Sequence, residues 1–243
     1  MKAFQAGWLA LYPSKQTRRR LLTRYRAFLR YCMDSDWLEK MPKFDKVPKD
    51  RADEIRTQPL SPEQYEKLLR TVAKTFTGIK AQRVRAIVQL MRYSGLAIHD
   101  AVTLERTELH LERKVYRVIT SRQKTGTHVN VPIPPDVAKE LLAVPNDHKD
   151  YFFWNTGEGK PQSAVTNWQH DLRDLFRASG MPNGHPHMLR DTFAVRLLEK
   201  GVPMEEVSKA LGHGSIKTTE KFYNPWIKTR QERLDGLVMG AWD

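Results

Sequence analysis

Between residues 41 and 59 the chain carries Pro42, Pro48 and Pro59 in a charged stretch with few apolar side chains. Proline lacks an amide hydrogen and fixes its own φ, so neither a regular helix nor a central strand can run through such a stretch. The chain must fold on either side of it. Directly afterwards, Ser61-Pro62-Glu63-Gln64 has the composition of a helix start. Ser61 can cap, Pro62 suits the first turn, and Gln64 is placed to close a capping box. The reading is a short helical unit over 1–50, a linker over 51–58, a larger domain over 59–223 and a tail over 224–243.

Within the first unit, Leu21, Leu22, Tyr25, Phe28, Leu29 and Cys32 recur at helical spacing and predict a helix over 18–32 with those residues packed inward. Arg19, Arg20, Arg24, Arg26 and Arg30 fill much of the remaining surface. In the larger domain, Tyr65, Leu68, Leu69 and Val72 form one apolar stripe, and Val84, Ile87, Val88 and Met91 form a second that ends at Ser94-Gly95. Alternation over 115–120 and again at Val129, Val131 and Ile133 predicts a β-hairpin, turned by Lys124-Thr125-Gly126-Thr127. A short strand is expected over Tyr151–Trp154, and successive helices from about residue 162. Trp168, Trp226 and Trp242 are expected to pack. The fold class is mainly α with a small antiparallel β-sheet (α+β).

The net charge is +13 and the isoelectric point is near 9.8. Residues 1–56 hold 14 Lys/Arg against 7 Asp/Glu, so more than half of that excess lies in the first quarter of the chain. A concentrated excess of positive charge releases counterions from a polyanion, so nucleic acid is the expected partner. Charge alone does not separate DNA from RNA or an anionic membrane. No apolar run is long enough to span a bilayer, and Trp8-Leu9-Ala10-Leu11 is too short for a secretory signal. The one cysteine, Cys32, fits a reducing compartment, and a cytoplasmic, nucleoid-associated location is expected.

Residues 185–223 concentrate the chemistry. His187 and Arg190, at i and i+3, share one face of a helix, and His213 and Tyr223 follow. Arginine and histidine facing a phosphodiester can neutralise charge on the non-bridging oxygens. A tyrosine hydroxyl can attack phosphorus and form a covalent intermediate. His185, His187 and His213 lack a cysteine or carboxylate at ligand spacing, so no metal is expected.

Taken in order, these pieces resemble the phage integrase family, the tyrosine recombinases. His187-Met188-Leu189-Arg190 resembles the family's His-x-x-Arg box, continued by Asp191-Thr192-Phe193-Ala194. Leu211-Gly212-His213 resembles its Leu-Gly-His box, and Thr218 to Tyr223 the segment that ends in the nucleophile. Tyr93-Ser94-Gly95-Leu96 followed by Asp100 resembles the box of the first arginine, and Lys124 matches the β-hairpin lysine. The first 50 residues resemble only part of the helical DNA-binding domain that precedes such a catalytic domain.

The resemblance implies cleavage and rejoining of duplex DNA through a 3′-phosphotyrosyl link, without metal, ATP or other cofactor. Tyr223 would be the nucleophile, Arg190 and His213 would bind non-bridging oxygens, Lys124 would protonate the leaving 5′ oxygen, and His187 would assist proton transfer. Asp100 would support the first-arginine box. Arg19, Arg20, Arg24, Arg26, Arg30 and Arg122 are the expected DNA contacts, with the duplex held between the N-terminal helices and the catalytic domain. Recombination implies four protomers on DNA and a monomer or weak dimer when free. Leu234, Leu237 and Val238 in the tail could pack on a neighbouring protomer or on their own domain.

Two departures stand out. The position of the family's first arginine is Ala97, whose side chain cannot hydrogen-bond phosphate, so impaired cleavage with retained DNA binding is expected. That alanine reads either as an engineered replacement or as natural decay. Family members place the tyrosine nine or ten residues after the Leu-Gly-His histidine. Phe222 stands at nine and Tyr223 at ten, and only Tyr223 has a hydroxyl. The alternatives are a type IB topoisomerase-like enzyme, separated by whether a two-site plasmid recombines, and a non-enzymatic DNA-binding protein in which Ala97 is natural.

Overall fold

A computed structural model describes residues 2–48 and 57–242, leaving out the side chains of 2–4, 9–10, 225, 227–230 and 233. The chain divides into two compact units, Met1–Ile55 and Arg56–Asp243. The linker expected over 51–58 lies mostly outside the described residues.

The first unit contains α1 (Lys2–Leu11) and α2 (Lys15–Asp34). Ser14 caps α2 by accepting from the Thr17 amide. Helix α2 extends beyond the predicted 18–32, and α1 was not anticipated. Its Trp8 is buried and its ring lies 5.3 Å from that of Tyr25. The predicted inward stripe is only partly buried. Leu22 and Cys32 are covered, whereas Tyr25 is 36% and Phe28 57% exposed. The ten-residue α1 is too short to cover the whole stripe of the twenty-residue α2. Arg20, Arg24, Arg26 and Arg30 are exposed, Arg19 is half-buried and Arg18 is buried.

The second unit opens with α3 (Pro62–Thr75), whose Ser61–Gln64 capping box forms as the sequence predicts. A cap of this kind stabilises a helix by about 1 kcal/mol. Helix α4 (Gly78–Ser94) buries Val84, Ile87, Val88 and Met91 and ends at Gly95 in the left-handed conformation, φ 67°. A short helix α5 (Ile98–Val102) follows. The three-stranded antiparallel sheet has the order β1 (Leu109–Glu112), β2 (Val115–Ser121), β3 (His128–Ile133). Strands β2 and β3 are the predicted hairpin, and β1 is an added edge. In register, Tyr116 faces Ile133, Val118 faces Val131 and Thr120 faces Val129, which turns one side of the hairpin into the core.

Helices α6 (Pro135–Leu142), α7 (Pro161–Ala178), α8 (His187–Glu199), α9 (Met204–Leu211) and α10 (Ile216–Met239) complete the unit. Tyr151–Trp154 is not a strand. Tyr151 makes an isolated bridge to Glu105, while Phe152 and Phe153 plug the core and the Phe153 carbonyl accepts from the Trp168 indole at 3.1 Å. The run is apolar because it is buried, which periodicity alone cannot tell from a strand. Helix α8 is central, with Met188 through Val195 all buried between α4 and α10.

The tail is not a separate segment. Helix α10 runs unbroken from before Tyr223 to Met239. Its end leaves Leu234, Leu237, Val238 and Met239 exposed, and Trp242 is 75% exposed rather than packed. Trp168 is buried and Trp226 is partly buried against the core. Among the described residues, no helix is long and apolar enough to cross a membrane.

Candidate active site

The site forms where the N-terminal half of α8 meets three chain ends: the turn after α4, the turn after α9, and the base of the β2–β3 hairpin. Each needs a tight approach, and glycine provides two of them. Gly95 has a positive φ, and a Cβ there would stand 2.4 Å from the Phe193 ring. Gly212 has φ 63°, and a Cβ there would stand 2.6 Å from Arg122 Cγ and 2.7 Å from Val129 Cγ2. Left-handed backbone and a missing side chain are thus both required. Gly212→Ala should lower unfolding free energy by roughly 1–3 kcal/mol, read by urea denaturation. An unchanged midpoint would contradict this packing.

Arg190 is 2% exposed. Its Nη1 donates to the Gly95 carbonyl, and its Nη2 donates to the Leu211 carbonyl at 2.8 Å and lies 2.9 Å from His213 Nε2. Burial, then the nearby Arg122 cation, lowers its pKa to about 10, so it remains charged at neutral pH. His213 follows Gly212, and its Nδ1 lies 2.8 Å from the Thr219 hydroxyl. A guanidinium can only donate, so Nε2 accepts from Arg190 and the Nδ1 hydrogen points at Thr219.

Burial first, then Arg190, Arg122 and His187, pushes the His213 pKa down to about 4. In the unfolded chain it titrates near 6.5. A depressed folded pKa means that the unfolded chain holds more protons between those two values. This contribution to stability is present above about pH 6.5 and is lost as pH falls towards 4. His213→Gln should therefore flatten the acid-side fall in melting temperature across that window. Identical slopes for both proteins would contradict the assignment.

Tyr223 is 2% exposed and its hydroxyl donates to Asp191 Oδ1 at 2.9 Å. Asp191 Oδ2 accepts from the Gln58 amide at 3.2 Å, and His187 Nε2 stands 3.5 Å from Oδ1. Burial, then the Asp191 charge and hydrogen bond, raises the Tyr223 pKa well above its ordinary value. His187 lies at the exposed mouth, and Lys124 is exposed at the hairpin tip. Ala97 is half-buried and N-caps α5 without a side-chain bond.

The structure thus gathers Arg190, His213, Tyr223 and His187 around the start of α8, with Ala97 two residues beyond Gly95. Asp100 and Arg122 join them as an ion pair at 2.8 Å, with side chains 4% and 13% exposed. Arg122, expected as a DNA contact, is half-buried beside the site, where Asp100 and the Leu211 carbonyl hold it. Sequence reading gave Asp191 no role of its own. The signal was its place directly after Arg190 in the box, which on a helix sets it beside His187 and towards α10. Thr219 left no signal. Among the described residues, no cluster of three or more His, Cys, Asp or Glu is placed to hold a metal.

The profile of the phage integrase family matches residues 58–228, more than half of the chain. Among similar proteins, tyrosine recombinase XerC of Chlamydia muridarum is 23% identical over 91% of this chain and 71% of its own. XerC of Rhodospirillum centenum is 28% identical over 90% of this chain and 66% of its own. The XerH site-specific recombinase bound to difH substrate, in a pre-cleavage complex, superimposes with a TM-score of 0.64 at 20% identity, covering 90% of this chain and 65% of that one. A lambda integrase dimer bound to a COC′ core site gives 0.66 at 15% identity, covering 89% and 78%. At such identities the superpositions establish a shared fold. Profile, relatives and fold agree: the chain belongs to the phage integrase family of tyrosine recombinases.

Proposed function

We propose that the protein is a site-specific recombinase that cuts and rejoins duplex DNA through a 3′-phosphotyrosyl intermediate. The observation that carries this reading is the convergence of Arg190, His213 and the Asp191-bound Tyr223 at the start of one helix. In the forward step Tyr223 Oη bonds to phosphorus and the P–O5′ bond breaks. Asp191 takes the phenolic proton, with His187 beside it to pass the proton on, and Lys124 gives a proton to the departing 5′ oxygen. A phenol this protonated needs a base in contact, and Asp191 is the group its hydroxyl donates to. Arg190 faces the non-bridging oxygens, where charge grows in the transition state, and His213 joins it by taking up a proton at Nε2, the atom that accepts from Arg190 in the DNA-free protein. The reverse step uses the same groups, since the phosphotyrosyl link conserves the energy of the diester.

Arg20, Arg24, Arg26 and Arg30 on α2 grip backbone phosphates, and the exposed apolar end of α10 seats against a neighbouring protomer in a four-chain assembly on DNA. Arginine is absent at position 97, so cleavage is slower than in a site with a guanidinium there. A lost charged donor at a phosphoryl-transfer site costs on the order of a hundredfold to a thousandfold. Ala97→Arg should raise the yield of covalent adduct on nicked duplexes at least about tenfold. An unchanged yield would contradict impairment at that position. Recombination of a two-site plasmid separates this reading from a topoisomerase, which would relax the plasmid and leave its sites in place.

A further inference from the structure

The site contains a guanidinium that the reading above does not use. Arg122 sits at the base of the β2–β3 turn, two residues before Lys124. Its Nε is 2.8 Å from Asp100 Oδ2, and its Nη1 donates to the Leu211 carbonyl at 3.0 Å. That carbonyl is the one Arg190 Nη2 reaches at 2.8 Å. The two guanidiniums thus bracket a single oxygen, and their nitrogens are separated by less than the sum of those two lengths.

We propose that Arg122 supplies a second guanidinium to the scissile phosphate, from the hairpin side, in place of the one that Ala97 lacks. This rests on the recombinase reading and adds a catalytic residue to it. Three features favour a phosphate-facing role over a simple staple between hairpin and α5. First, Asp100 lies three residues after Ala97 on α5, on the face next to that position, and so fixes Arg122 beside the vacancy. Second, the same carboxylate accepts from the Gln123 amide at 3.1 Å, so the turn is clamped through backbone and side chain together. Such a clamp sets the direction of the fork and holds Lys124 in register with it. Third, Asp100 and the Leu211 carbonyl engage Arg122 Nε and Nη1 and leave its Nη2 as a donor for an anion beside Arg190. Gly212 is the residue that makes room, since any Cβ there would push Arg122 away.

A double-mutant cycle tests this. The probe is a pool of end-labelled, nicked duplexes of randomised sequence, from which covalent adducts are separated on a denaturing gel. The best duplex is then used for the parent, Arg122→Ala, Ala97→Arg and the double variant. Arg122→Lys is added because lysine keeps a partner for Asp100 and the fold, yet lacks the fork. We expect Arg122→Ala to lower adduct formation about a hundredfold in the parent and less than about tenfold beside Ala97→Arg. Arg122→Lys should lower it at least about tenfold in the parent, with an unchanged melting temperature. Damage to the hairpin alone could not be relieved by an arginine placed at 97. Equal losses in both backgrounds would overturn the assignment, as would adducts that form only with Ala97→Arg. If no protein in the cycle forms adducts with any duplex, the recombinase reading falls as well, so the two failures are distinguishable.

Discussion

Tyr223→Phe is expected to abolish covalent protein–DNA adducts, a loss of roughly four orders of magnitude or more, because no other group replaces a missing nucleophile. The change removes one oxygen from a buried site. Asp191 keeps the Gln58 amide and the nearby His187, so stability should fall by only about 1 kcal/mol. The ring continues to fill its place against α8, and α2 and the hairpin keep their positive charge. DNA affinity in a gel shift should therefore stay within about threefold of the parent. Chemistry and binding separate cleanly in this variant. Adducts that survive at the parental level would move the nucleophile elsewhere.

The second large effect is at Arg190. Arg190→Ala should reduce adduct formation by roughly a thousandfold and also weaken the fold. The buried Gly95 carbonyl would lose its guanidinium donor, whereas the Leu211 carbonyl would keep Arg122. Two unmet acceptors, the Gly95 carbonyl and His213 Nε2, plus the vacated volume should cost roughly 2–4 kcal/mol, seen as a lower urea midpoint. Arg190→Lys separates the two consequences. Lysine retains a charge but cannot reach Gly95, Leu211 and His213 together from one flat group. It should cleave at least about a hundredfold more slowly while losing less stability than alanine. A lysine variant that cleaves like the parent would show that charge alone suffices and that the fork has no role.

Much of this was legible in the sequence because the informative signals are local. Ser61 and Gln64 lie three residues apart, and their capping box needs nothing from the rest of the chain. The alternation on either side of Lys124 specifies a hairpin, and its register follows from the turn. What was not legible depends on contacts between distant segments. Phe152 and Phe153 are apolar because a core closes over them, so their pattern mimics a strand. Helix α10 continues through Tyr223, so that residue and the exposed apolar end share one helix rather than a site and a tail. Arg122 read as one basic residue among many. Only the meeting of hairpin, α5 and the α9 turn shows it sharing the Leu211 carbonyl with Arg190. Asp191 stands directly after Arg190 in the sequence, yet its partner is a hydroxyl 32 residues away.

The central claim is that this site cuts DNA by attaching it to Tyr223. Mapping the attachment tests it most directly. Adducts formed by the Ala97→Arg protein on a nicked duplex would be digested with nuclease and trypsin and analysed by mass spectrometry. Trypsin cuts after Lys221 and Lys228, so the account predicts a nucleotide on the peptide Phe222–Lys228, carried by Tyr223. A nucleotide on any other peptide, or duplex DNA recovered free of peptide, would contradict it.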